Sequence, residues 1–168
     1  MRPRAAPARC RQLVLAFAVL AAPAALAGQA VSGVKDFLRV APEDVKWVKE
    51  ADGSGVERAT LMGDPTKPGI YVTRIKFPPG VMSRPHYHQE DRHAVVIKGT
   101  WYTGTGEAFA PDKTIPLTTG SYMLHPAGEI HFDGAKDEEV IVQIIGYGPS
   151  STVRLRPQDG AFGPSRPR

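Results

Sequence analysis

Cysteine is almost missing from this chain. Its one copy, Cys10, stands ahead of the apolar run "LVLAFAVLAAPAAL", so everything after that run is without disulfides, thiolate metal ligands or a cysteine nucleophile. Long apolar stretches are missing too: that run holds fourteen residues and contains Pro23, short of the ~20 that a helix needs to cross a bilayer. With Arg2, Arg4, Arg9 and Arg11 before it and the small residues Ala25 and Ala27 at its end, residues 1–27 are expected to be a secretory signal peptide cleaved after Ala27. The mature protein is then periplasmic or secreted. An excess of positive charge also disappears with the leader, which takes four of the 21 Lys and Arg and none of the 17 Asp and Glu, leaving residues 28–168 neutral. No Lys/Arg cluster remains to neutralise phosphates, which argues against nucleic acid as a partner and, after cleavage, against a membrane.

Helical periodicity and internal repeats are lacking as well, while turn signals recur between short apolar runs. "ERATLM" (57–62), "GIYVTRIKF" (69–77), "VMSRPHYH" (81–88), "HAVVIKGTWYTG" (93–104), "SYMLHP" (121–126) and "EVIVQIIGYG" (139–148) are expected as strands. "DPTKPG", "PPG", "QED", "PDKT" and "PAGE" separate them, and "PED" at 42–44 is expected to open one short helical turn. The pattern predicts an all-β domain, a closed barrel or a two-sheet jelly roll. Residues 28–56 form an N-terminal segment that packs on the barrel or on a partner subunit, 57–150 the barrel, and 151–168 a loose tail without a core pattern.

Histidine is concentrated. Three of the five histidines fall within "HYHQEDRH", 86–93. On a strand, His86 and His88 share one face about 7 Å apart, and a return strand beginning at His93 points His93, Val95 and Ile97 to one face, where a third imidazole can meet the first two. Three imidazoles around an open coordination position make a catalytic type of metal site. By itself H-x-H is short and equally describes exposed histidines beside a turn.

A longer pattern resembles the cupin superfamily. Its first motif runs glycine, five residues, H-x-H, three or four residues, glutamate, six residues, glycine; here Gly80, "VMSRP", His86, Tyr87 and His88 follow it, closing at Gly99. Its second motif runs glycine, five residues, P-x-G, two residues, histidine, three residues, asparagine; Gly120, "SYMLH", Pro126, Ala127, Gly128, "EI" and His131 reproduce it as far as the histidine. The resemblance covers 80–135 in its motifs, and implies a double-stranded β-helix, a jelly-roll barrel, over most of 57–148.

Two positions depart from the family pattern. The asparagine is Ala135, and the glutamate falls at Arg92 if three residues intervene or at His93 if four do. Cupins usually bind metal through three histidines and that glutamate, so three arrangements are open. His93 replaces the glutamate and joins His86, His88 and His131; or those three histidines act alone; or Glu90, which shares their parity, swings in from the turn. One divalent transition metal, Fe, Zn, Mn, Ni or Cu, is the expected cofactor.

The resemblance places His125 and Met123 inside the barrel, His125 as a candidate acid or base. Gln143, Tyr102 and Met123 are further candidates to contact a ligand or a metal-bound water. An all-histidine centre resembles those of cupin dioxygenases and, lacking the acidic ligand, suits a chelating anion; the alternative is a non-catalytic cupin that binds or senses a small molecule or metal. The apolar "FLRVAPEDVKWV" segment predicts a homodimer with Trp47 near its centre.

Overall fold

The computed structural model describes residues 36–166; the expected leader, its cleavage site and Cys10 lie outside them. Thirteen strands follow in chain order: β1 (Val48–Lys49), β2 (Glu57–Met62), β3 (Gly69–Phe77), β4 (Val81–Ser83), β5 (His86–Tyr87), β6 (Arg92–Lys98), β7 (Thr100–Thr105), β8 (Ile115–Thr118), β9 (Tyr122–His125), β10 (His131–Gly134), β11 (Val140–Gly148), β12 (Val153–Arg154) and β13 (Phe162–Pro164). The only helical pieces among the described residues are 3₁₀ turns, the first at Pro42–Asp44 where "PED" predicts one. None of the helices is long and apolar enough to cross a membrane.

Two antiparallel sheets form. One runs β1-β2-β3-β11-β6-β9; the other runs β12-β5-β10-β4-β13, with β7 joined to β10 and carrying β8. Alternation along the central strands sends one set of side chains between the sheets. Tyr71, Ile75 and Phe77 of β3, Ala94 and Val96 of β6, and Val142 and Ile144 of β11 form the core, closed from the other sheet by Trp101 and Phe162. The all-β jelly-roll expectation is met.

Three boundaries differ from the expected ones. "VMSRPHYH" is two strands, because Pro85 offers no N–H to continue the ladder and β4 and β5 meet different lengths of β10. "HAVVIKGTWYTG" breaks at Gly99, which turns at φ 77° with the Glu139 carbonyl where a Cβ would sit; only glycine fits there. The break passes the chain from one sheet to the other. The third is the tail, which is not loose over its described length: β12 pairs with β5, β13 pairs with β4, and Phe162 packs edge-on against Phe77 at 6.3 Å. Backbone pairing to strand edges orders it where side-chain periodicity does not.

The N-terminal segment is divided. Val45 and Val56 are buried and β1 extends the first sheet along β2, so the barrel's pairing begins before residue 57. Trp47 is half-buried, with the Lys76 ammonium 4.2 Å above its ring. Phe37, Leu38 and Val48 stay exposed.

Candidate metal centre

Strand pairing builds the site from two cross-strand pairs that face each other between the sheets. On the second sheet His131 of β10 lies opposite His86 of β5. On the first, Arg92 of β6 lies opposite His125 of β9. His88 follows β5 and keeps the parity of His86. The turn around it is fixed to the second motif by two hydrogen bonds, Gly128 N–H to the His88 carbonyl at 2.7 Å and Ala127 N–H to Asp91 Oδ1 at 2.7 Å.

His86, His88 and His131 are all buried, and each offers a ligand atom within 4.8 Å of those of the other two. Their ring centroids are 4.9 Å (His86–His88), 4.5 Å (His86–His131) and 5.2 Å (His88–His131) apart. Each Nδ1 sits against a backbone carbonyl: Arg84 O at 2.7 Å for His86, Ser151 O at 2.7 Å for His88 and Glu129 O at 3.0 Å for His131. A carbonyl only accepts, so each Nδ1 carries a proton, which makes Nε2 the nitrogen that can ligate a metal. That tautomer, held by a backbone carbonyl, is how proteins orient histidine ligands towards a metal. Burial pushes His86 down to about 4, helped by His131 and opposed by Asp133. It pushes His88 to about 2, with the Arg92 cation adding to the effect. Both rings are therefore neutral at physiological pH, and the His88 Nε2 lone pair meets Arg92 Nη1 at 2.6 Å. His131 Nε2 is buried without a hydrogen-bond partner among the described residues, 4.0 Å from Asp133 Oδ2. Three buried imidazoles, each oriented by its Nδ1–carbonyl hydrogen bond, fit a divalent transition metal.

A second group overlaps the first. His125, His131 and Asp133 also present ligand atoms within 4.8 Å of one another, with His125 stacked on His131 at 3.9 Å. Neither nitrogen of His125 has a partner among the described residues. Burial, then the neighbouring His131, drives His125 to about 2, so it enters the site as a neutral ring and not as a group poised near neutrality.

Several expected site residues stand elsewhere. His93 points outward from β6 and is exposed, and its Nδ1 lies 2.8 Å from the Tyr122 hydroxyl. The inward face of β6 is instead Arg92, Ala94 and Val96, because the turn holds one residue fewer than the His93 reading requires, and a one-residue shift reverses every side chain. Glu90 does not swing in; its carboxylate accepts from Ser151 N–H at 3.2 Å. Gln143 accepts from Arg74 Nε at 3.1 Å, while its neighbours Val142 and Ile144 face the cavity. Tyr102 carries the Lys136 ammonium 4.3 Å over its ring and Trp101, one residue earlier, lines the cavity in its place. Met123 packs on the core.

Arg92, Asp133, Arg58 and Arg154 are cavity residues that motif reading passes over. Two had a signal: Asp133 shares the parity of His131 on β10, and Arg92 is the three-residue alternative for the missing glutamate.

Comparison with known proteins agrees with this architecture. No curated protein matches the chain. Among solved structures, the polyketide cyclase RemF from Streptomyces resistomycificus is 19% identical, with 71% of this chain and 86% of that one covered at a TM-score of 0.59. A protein of unknown function with a cupin-like fold from Ralstonia eutropha is 24% identical, covering 80% and 81% at 0.56. The DMSP lyase DddQ from Ruegeria pomeroyi is 16% identical, covering 69% and 64% at 0.55. These likenesses are of fold. The model of the ChrR cupin-like domain matches residues 35–151, most of the chain, and the protein belongs to that family of the cupin superfamily.

Proposed function

We propose that this is an exported cupin that holds one divalent transition metal through His86, His88 and His131 and acts on a small organic molecule in the cavity between the sheets. The observation that carries the reading is the trio of Nδ1–carbonyl hydrogen bonds, which makes the three Nε2 atoms the ligand nitrogens for one ion. A metal held there supplies Lewis acidity and, as iron, access to O₂ chemistry. The chain's own contribution is a dry wall of Ile75, Phe77, Val142 and Ile144 that keeps bulk water from the reacting groups, and the neutral His125 ring at the cavity wall, with nitrogens free to hydrogen-bond a ligand. The finer reading is a dioxygenase-like oxidoreductase. Anaerobic loading with Fe(II), followed by oxygen uptake across β-dicarbonyl and catecholic compounds, tests it: uptake that depends on His86 is expected, and no uptake with any compound would refute it.

A second reading, capture or sensing without turnover, is favoured by one feature, the Arg92 guanidinium lodged against His88 Nε2 at 2.6 Å, where it competes for a ligand lone pair. It predicts a raised melting temperature with ligand that is recovered unchanged after long incubation.

Phe37, Leu38 and Val48, left exposed by the barrel, support a homodimer. Sedimentation at micromolar concentration is expected to give twice the chain mass, and a monomer would contradict it.

A further inference from the structure

The cavity contains a charge that the histidine site does not use. Arg92 is only 7% exposed, yet it takes part in no ion pair among the described residues. Its Nη1 contacts His88, and its Nε is buried with no partner there. A guanidinium does not shed its proton to escape burial, as an imidazole does. An unpaired buried cation is a costly element of a fold unless something else offsets it.

The surroundings add positive charge. Arg58 and Arg154 line the same cavity, against one carboxylate, Asp133. Arg58 is engaged by Glu50, but Arg154, which stands opposite His86 on β12, has no ion pair among the described residues. The cavity measures about 40 Å³, room for roughly three waters. That suits a compact polar group better than a bulky apolar one.

We propose that this cavity takes a small oxyanion, the carboxylate group of an organic ligand, bound by the fork of Arg92 with Arg154 completing the positive wall. A planar guanidinium and a carboxylate meet through two parallel N–H···O bonds, and the arriving anion supplies the direct ion pair that Arg92 lacks among the described residues. In drawing Arg92 towards itself it also releases the His88 lone pair. The inference rests on reading this cavity as the functional site, but not on metal being present.

Calorimetry on the metal-stripped full chain separates the two. Malonate is expected to bind and its neutral isostere malonamide not to, with inorganic phosphate weaker than malonate. Arg92→Gln is expected to weaken malonate at least about ten-fold, since hydrogen bonds to charged groups are the strong ones. Arg92→Lys, which keeps the charge without the fork, falls between; Arg154→Gln, at an exposed position, loses a smaller factor. Tighter binding of phosphate than malonate would overturn the carboxylate assignment in favour of free phosphate. Equal binding of malonamide, or malonate affinity untouched in all three variants, would overturn the oxyanion site itself. Metal content of His86→Ala and His131→Ala, measured separately, reports on the histidine centre, whose failure would leave malonate binding to the metal-stripped chain unaffected.

Discussion

His131→Ala is expected to abolish useful metal binding while leaving the barrel folded. His131 belongs to both ligand groups and lies between His86 at 4.5 Å and His125 at 3.9 Å. Its backbone pairing to His86 and Thr105 does not need the side chain. Four-ligand zinc sites bind with about 10–16 kcal/mol, so one ligand in four is worth ~2.5–4 kcal/mol, or about 10²–10³-fold in affinity. Starting from only three histidines, the remaining pair should not retain metal through purification. Titration with Zn²⁺ checks this, with His93→Ala as the control: that ring is outside the barrel on Tyr122, and its removal should leave the affinity as it was. A loss from His93→Ala equal to that from His131→Ala would mean that the inward face of β6 has been misplaced.

Arg92→Glu should act in the opposite direction and tighten metal binding by about 10² or more. The substitution removes a cation that points into the cluster and puts a carboxylate at the family's three-residue spacing. Unit charges 4 Å apart interact by about 4 kcal/mol at an effective dielectric of 20, and here the sign of the charge beside the ion is reversed. Desolvation of the new carboxylate offsets part of that gain. The added oxygen ligand also makes the site harder, tilting preference towards manganese or iron over copper. His93→Glu, by contrast, places its carboxylate in solvent and should change nothing. Competition between metals, read on wild type and both variants, distinguishes the two positions; tightening by His93→Glu alone would contradict the geometry.

The difference between residues 92 and 93 shows what was and was not legible in the chain. His86, His88 and His131 could be placed because parity on a strand and a motif with fixed glycines and proline constrain them. The expected return strand is one residue out of register at the "QEDR" turn, whose length decides which face of β6 turns inward, although the motif held the signal: six residues separate Arg92 from Gly99 and only five separate His93 from it. The jelly roll was legible from strand spacing, yet β1, β8, β10, β12 and β13 were not. "IPLT" has proline and mostly exposed residues, and "VR" and "FGP" are ordered by backbone bonds to strand edges, which leave no hydrophobic pattern. Arg154 and Phe162 entered the cavity by that route. Val142 and Ile144 were predicted in a strand but with the parity of Gln143 left open, and only pairing with β3 and β6 decides it.

The central claim, that His86, His88 and His131 form a ready-made ligand set, is tested most directly by titrating the metal-stripped protein with Co²⁺ and following its visible absorption. A single binding event per chain is predicted, with ligand-field bands of a nitrogen-ligated ion that do not develop in His86→Ala. A spectrum that stays that of the aqueous ion throughout, or that develops equally in His86→Ala, would contradict it.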